Sequence, residues 1–169
     1  VNQLSALLKS NPNQLFERVS AIKADLINKN KEMQEMQSEL ASLKYASLIP
    51  LAEKVGPYSV LISELNGLDP NSLQSVALEI SSKLGEKSAV IIGGLSNDSS
   101  KKLLFVTSFG PDLVKQGLHA GKFINKIAKI CSGGGGGKSN IAQAGAKDFQ
   151  KLTDALNFEK NELNKKFNI

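Results

Sequence analysis

The sequence predicts an α+β protein (mixed α/β), in which a long antiparallel helical arm precedes a small globular domain with a mixed β-sheet and helices. Three observations predict this class. Apolar residues recur at steps of three and four over residues 15–43, which is the spacing of one helix face. After residue 57, β-branched and aromatic runs alternate with helical patterns. Gly56-Pro57 separates the two parts, so we assign the arm to residues 1–56 and the globular domain to residues 57–169.

The arm is expected to open with the end of a helix in residues 1–9, to restart at Asn11-Pro12 and then to form one long helix. Its apolar seam follows a heptad spacing that only Lys29 interrupts, and its members are Leu15, Val19, Ile22, Leu26, Met33, Met36, Leu40 and Leu43. A seam of this length needs a partner to cover it. Residues 45–55 and 149–167 are candidate partner helices within the chain, and a second copy of the chain is the alternative. The sequence leaves both arrangements open.

The globular domain is expected to alternate strands and helices, each bounded by glycine, proline, asparagine or aspartate. Asp69 and Asp148 are candidate N-caps for the helices that follow them. The expected elements are strand 58–65, a helix from Asp69-Pro70 to Gly85, strand 88–95 buried on both faces, strand 101–109 joined to it through a turn at Asn97-Asp98, a short helix from Pro111, helix 120–131, and a final helix after Asp148.

The composition is that of an ordinary soluble protein, with 41% apolar and 22% charged residues in 169. No apolar run approaches the roughly 18 residues of a membrane span, and no signal peptide is visible, so we expect no membrane partner. The chain starts at Val1 rather than Met, which suggests a fragment of a longer protein. One cysteine, Cys131, cannot form an internal disulfide, so we expect a reducing, cytoplasmic location.

Positive charge is concentrated in the last third of the chain. Residues 115–169 hold ten lysines and four acidic residues, a net charge of +6, whereas residues 1–114 hold eleven basic and twelve acidic residues, a net charge of −1. This asymmetry predicts a polyanionic partner. A lysine-rich surface that is merely solvated is the alternative.

A run of five glycines, Gly133 to Gly137, lies in the middle of this basic third. Glycine costs about 0.5–1 kcal/mol relative to alanine in a regular element, so five in succession need a reason. We interpret the run as a flexible loop whose backbone N–H groups receive an anion, with lysines around it. The alternative is that the missing Cβ atoms only let two backbone segments pack closely.

The candidate RNA-binding residues are those whose backbone or side chain could contact phosphate, ribose or base edges near the glycine run. They are Lys122, Asn125, Lys126, Lys129, Gly134, Gly135, Gly136, Gly137, Lys138, Ser139, Asn140, Gln143 and Lys147. Few aromatic residues lie nearby, so a folded RNA recognised by its shape and backbone fits better than a stacked single strand.

Enzymatic sites are poorly supported. A nucleotide-binding P-loop needs a glycine five residues before Gly137-Lys138, where Ser132 stands, and it needs a strand before the loop and a helix after it. His119 is the single histidine, and we expect it to lie on the surface without a catalytic role; Cys131 is expected to be an inert core residue. One histidine and one cysteine also cannot form a zinc site. We therefore predict no catalytic residues and no metal site in this chain.

The glycine run and the segment after it resemble one protein family. The residues that carry the resemblance are Gly133–Gly137, Lys138, Ile141-Ala142-Gln143-Ala144-Gly145 and Lys147-Asp148. In these residues the sequence is similar to the C-terminal domain of alanyl-tRNA synthetases, which is of the DHHA1 type. The resemblance extends over essentially the whole chain. It departs from the family pattern at Ser132, Lys138 and Ala146, where many relatives have glycine, arginine and glycine.

This resemblance implies a DHHA1-like fold and a non-catalytic role within an alanine-tRNA ligase. The domain would grip the outer corner of tRNA(Ala), where the D and T loops meet, and so couple aminoacylation to editing. Its partners would be tRNA(Ala), the rest of the synthetase chain and, through the helical arm, a homodimer partner. The alternative function is a dimerisation or structural module with little RNA contact. The resemblance implies no cofactor in this chain, because ATP, magnesium and zinc would belong to other parts of the parent enzyme.

Overall fold

A computed structural model describes residues 8–9, 11–97 and 101–167. The helix expected in residues 1–9 and the turn expected at Asn97-Asp98 fall wholly or partly outside these ranges. The chain forms two compact units, Val1–Glu39 and Leu40–Ile169. A short 3-10 turn, Pro12–Gln14, leads into helix α1, Leu15–Leu48, whose last residues belong to the second unit.

Helix α1 has 34 residues, about 51 Å at 1.5 Å per residue. Its apolar seam is exposed: Val19, Leu26 and Met36 are 52%, 60% and 64% accessible. The candidate partner helix at residues 45–55 is wrong, because α1 continues to Leu48, a 3-10 turn follows at Ile49–Leu51, and Glu53–Val55 form a strand.

The second unit is built on a six-stranded sheet. Its strands are β1 (Glu53–Val55), β2 (Tyr58–Glu64), β3 (Ser88–Leu95), β4 (Leu103–Phe109), β5 (Gly134–Gly137) and β6 (Ile141–Ala146). They lie in the order β1-β2-β3-β4-β6-β5, and only β2 and β3 run parallel. Strand β3 is buried from Ser88 to Gly94, as its continuous apolar run predicted.

Helices cover both faces of the sheet. They are α2 (Pro70–Leu84), α3 (Pro111–Lys115), α4 (Ala120–Ile130) and α5 (Leu152–Phe167). Helix α2 packs with Val90, Ile92 and Val106 on one face. Helices α4 and α5 pack with Ile91 and Phe105 on the other face. The predicted α+β class with a mixed sheet is therefore confirmed, and the core lies in these two layers between sheet and helices.

The two predicted aspartate caps have different outcomes. Asp69 accepts hydrogen bonds from the backbone N–H groups of Asn71 and Ser72, which confirms the predicted cap of α2. Asp148 makes no such bond: a 3-10 turn, Phe149–Lys151, intervenes before α5, and the Asp148 carboxylate lies 3.4 Å from Lys151 Nζ instead. Within the described residues, no helix is both long and apolar enough to cross a membrane.

Candidate nucleic-acid interface

The glycine run is a strand and not a loop, which corrects the interpretation as a flexible anion-receiving loop. Gly134–Gly137 form β5 at the edge of the sheet, paired antiparallel with β6. Lys138 N–H donates to Ile141 O at 2.9 Å and closes the hairpin between them. The glycines form a strand because β6, which follows them, alternates exposed and buried residues and gives β5 an ordered strand to pair with.

Helix α4 is bonded to the β5–β6 hairpin at both of its ends. At its start, Ala120 N–H and Gly121 N–H donate to the carbonyls of Ser139 and Lys138 at 2.8 and 3.2 Å. Past its end, Gly133 N–H donates to Ala128 O at 2.7 Å. The helix therefore runs alongside β5 in the opposite direction. Since hairpin carbonyls occupy its first N–H groups, the N-terminus of α4 is not an open anion site.

Alternate glycines of β5 have different surroundings. An added Cβ on Gly137 would lie 2.6 Å from Ala142 Cα, and one on Gly135 would overlap Ala144 Cβ. Gly121 of α4 is similar, because its Cβ would lie 2.6 Å from Gly137 O. By contrast, a Cβ on Gly134 or Gly136 would meet nothing within 4 Å. Close packing thus explains Gly135 and Gly137 but leaves Gly134 and Gly136 unexplained.

The outer edge of β5 offers backbone hydrogen-bonding groups. Hydrogen-bonded and non-hydrogen-bonded pairs alternate along an antiparallel ladder. Because Lys138 bonds Ile141, the pairs Gly136–Gln143 and Gly134–Gly145 are the bonded ones. The N–H and C=O groups of Gly135 and Gly137 consequently point away from β6. Those of Gly135 point to the open edge of the sheet, whereas Gly121 of α4 lies against the backbone of Gly137.

The candidate residues of α4 share its exposed face. Lys122, Lys126 and Lys129 lie at steps of four and three, with Asn125 beside them, opposite the buried face that includes Ile124 and Ile127. The sequence predicted these two faces correctly. Lys126 is partly engaged, since its Nζ lies 3.1 Å from Glu162 Oε2 of α5.

The hairpin and its flanks carry the other candidates. Lys138 and Asn140 are exposed at the turn and Ser139 is half-buried between them. Gln143 is exposed opposite Gly136, and Lys147 is exposed just after β6. Within the described parts of the chain, Lys122, Lys129, Lys138 and Lys147 form no ion pair.

Sequence reasoning missed a groove on the opposite face of the sheet from α4. It has a volume of about 270 Å³ and lies beside the open glycines and Gln143; its lining includes Pro70, Leu73, Leu104 and Gly145. Strand β4 was predicted but β6 was not, and their pairing, which brings Leu104 opposite Gly145, has no local signal.

The residues considered for catalysis are not arranged for it. Cys131 is fully buried, and burial raises the pKa of its thiol, as expected for an inert core residue. His119 is half-buried and its Nδ1 has no hydrogen-bond partner in the structure, so its predicted surface position is only partly correct. Across residues 8–9, 11–97 and 101–167 no group of three metal-ligating side chains occurs. The glycine run follows a helix and precedes a strand, so it does not form a P-loop.

Comparison with known proteins identifies relatives of the chain. The DHHA1 domain family matches residues 58–165. The chain is 60% identical over 166 residues to an alanine–tRNA ligase of Prochlorococcus marinus subsp. pastoris, covering 98% of this chain and 19% of the relative. It is 42% identical over 166 residues to an alanine–tRNA ligase of a Synechococcus species, with the same coverage. The chain therefore spans about 19% of the length of these relatives.

A solved structure is also similar. The C-Ala domain of alanyl-tRNA synthetase from Aquifex aeolicus superposes with a TM-score of 0.57 at 25% identity, covering 65% of this chain and 95% of that one. The family match, the sequence relatives and this structure agree on the same group of proteins. The chain thus belongs to the DHHA1 domain family, in the form found in alanine–tRNA ligases.

Proposed function

We propose that this chain is the C-terminal tRNA-binding domain of a cytoplasmic alanine–tRNA ligase and that it grips the outer corner of tRNA(Ala). In this role it couples aminoacylation to editing and performs no catalysis itself. The ATP, magnesium and zinc chemistry of the parent enzyme takes place outside this chain. The partners are tRNA(Ala) and the rest of the synthetase.

The observation that carries the proposal is the combination of unpaired lysines with an open glycine strand. Lys122 and Lys129 on α4, and Lys138 and Lys147 on the hairpin, form no ion pair among the described residues, so phosphates need not displace a carboxylate from them. Lys126 can also contact a phosphate if its ion pair with Glu162 breaks.

The edge of β5 adds groups that recognise an RNA backbone by shape. The N–H group of Gly135 points outward, and no side chain of β5 stands in front of it. A phosphate or ribose hydroxyl can approach to hydrogen-bond distance. Gly134 and Gly136 leave the adjoining face of the strand free of side chains. Around it, neutral donors and acceptors are supplied by Asn125, Ser139, Asn140 and Gln143.

The test is a titration with tRNA(Ala) transcript at several salt concentrations. The variant changes Lys129 and Lys138 to Ala, and the matched control changes Lys83 and Lys87, two exposed lysines in and after α2, to Ala. Two lost phosphate contacts reduce the salt slope by about 1.4–1.8 in the variant. Affinity falls roughly tenfold, or about 1.4 kcal/mol, in the variant and far less in the control. Equal effects in the two proteins would refute the assignment of these lysines.

A second function, dimerisation through α1, is favoured by one specific observation. The seam residues Val19, Ile22, Leu26, Met33 and Met36 are all more than two-fifths exposed. A seam of this kind is covered in a coiled coil by a second helix, and a second copy of this chain would supply one. Sedimentation over a wide concentration range tests this, with Leu26→Glu as the variant. A wild-type protein that stays monomeric throughout would exclude the dimer.

A further inference from the structure

Glu159 is an ionisable residue on the buried face of α5, where the other residues are apolar. The buried face of this helix is formed by Leu152, Ala155, Glu159 and Leu163, at steps of three and four. The Glu159 side chain is fully buried, and neither carboxyl oxygen has a hydrogen-bond partner within the described structure. A buried carboxylate without partners is strongly unfavourable, so the geometry requires the uncharged acid while α5 is docked.

Few charged groups face Glu159 from the elements packed around it. On α5 itself the neighbour is Glu162, and on α4 it is Lys126. Strand β3 has no charged residue, and Glu64 of β2 lines a groove on another side of α5 with Lys160. In the 3-10 turn before α5, Lys151 pairs with Asp148.

Lys126 already forms an ion pair. Lys126 Nζ lies 3.1 Å from Glu162 Oε2, and Lys165 Nζ lies 3.3 Å from Glu162 Oε1. Burial is the main cause that raises the pKa of Glu159 to about 9; Glu162 raises it further and Lys126 opposes the change. The carboxyl group therefore keeps its proton at neutral pH while α5 is docked.

We propose that Glu159 is a proton-dependent latch: α5 stays docked on the sheet while this carboxyl group is uncharged, and leaves the sheet when the group ionises. Release exposes the carboxylate to water, which supplies the hydrogen bonds that the docked helix lacks. Release of α5 also separates Glu162 from Lys126, so the state of the latch changes the ion pairing of one lysine on the exposed face of α4. The latch itself concerns the protein alone and does not depend on RNA binding.

The sign of the pH dependence follows from proton linkage. The released helix has an ordinary glutamate, whose pKa is 4.5, whereas the docked helix holds the proton up to a pKa of about 9. The docked state is therefore fully favoured below about pH 4.5 and is progressively disfavoured as the pH rises to about 9. Each pH unit within this window raises the opening constant roughly tenfold.

Amide hydrogen exchange measured between pH 6 and 8, corrected for the intrinsic exchange rate, tests the latch. In the wild type, the opening constant of α5 should rise about a hundredfold over these two units, while that of α2 stays nearly constant. Glu159→Gln cannot ionise and should leave α5 nearly independent of pH. Asp154→Asn, a change at an exposed acid on the same helix, is the matched control and should behave like the wild type.

Three results would overturn the latch. They are an equal rise in Glu159→Gln, no rise in the wild type, and a rise in α2 as large as that in α5, which would mean that the whole domain opens. If Glu159→Gln does not fold, Glu159→Met supplies a flexible apolar side chain for the same comparison.

Discussion

The two sides of strand β5 are formed by the same residue type for different reasons. Gly135 and Gly137 face Ala144 and Ala142, where a Cβ atom would overlap the neighbouring strand. Gly134 and Gly136 face open space, where a Cβ atom would meet nothing. The fold itself therefore requires glycine on the packed side. On the open side no described residue requires glycine, and the proposed function attributes these glycines to an RNA backbone that approaches the strand.

The largest effect is expected on the packed side of the strand. Gly135→Ala places a methyl group against Ala144 and should lower the free energy of unfolding by about 3 kcal/mol, the upper part of the range for overpacking. Urea unfolding followed by circular dichroism measures this. Gly136→Ala, one residue away and with the same change in volume, is the control. Equal stability of the two variants would remove the distinction between the two sides.

A smaller loss is expected where α4 meets the strand. Gly121→Ala gains about 1 kcal/mol of helix propensity but brings its Cβ to 2.6 Å from Gly137 O. We expect the contact to prevail, with a net loss of about 2 kcal/mol. Thermal unfolding provides the measurement, and Asn125→Ala on the exposed face of α4 is the control, with a change near zero or slightly stabilising. A stabilised Gly121→Ala protein would show that α4 can move away from β5.

On the open side, stability and binding should change in opposite directions. Gly136→Ala reduces the freedom of the unfolded chain and should stabilise the protein by about 0.5 kcal/mol. The added methyl group should weaken tRNA binding about fivefold, or about 1 kcal/mol, if RNA lies against this face. Unfolding and tRNA titration on the same preparation measure both. Unchanged affinity would leave the open glycines without a role in binding.

The smallest effect is expected from the ion pair between Lys126 and Glu162. Glu162→Gln removes the anion that lies 3.1 Å from Lys126 Nζ and should strengthen tRNA binding about twofold. Filter binding at low salt is sensitive enough, and the gain should disappear at high salt. Glu79→Gln, an exposed acid of α2, is the control for the change in net charge. A gain of the same size in that control would mean that overall charge alone is responsible.

Much of the fold followed from local patterns. Strand β3 and helix α2 were predicted with nearly their observed bounds, because a continuous apolar run and an Asp-Pro cap are strong signals within a few residues. Strand β5 could not be predicted, because glycine has little strand propensity and the strand exists through its pairing with β6. The prediction of a helix at residues 45–55 was wrong because the apolar residues there belong to the end of α1 and to the turn and strand that follow it.

Part of the candidate site could likewise be predicted from the sequence, and part could not. Periodicity alone placed Lys122, Lys126 and Lys129 on the exposed face of α4. That Lys126 contacts Glu162 was beyond prediction, since the two residues are 36 positions apart and meet only through the packing of α4 and α5. The alternation of packed and open glycines also needs coordinates, because it depends on how β5 pairs with β6.

The central claim is that RNA binds along β5 and the exposed face of α4. Amide chemical-shift perturbation in an NMR titration with tRNA(Ala) tests it most directly. The claim predicts that the amides of residues 122–129 and 135–138 shift or broaden, with Gly135 among the most affected, while those of α2 remain unchanged. Perturbations concentrated in α2 or β1, with the glycine amides unaffected, would contradict it.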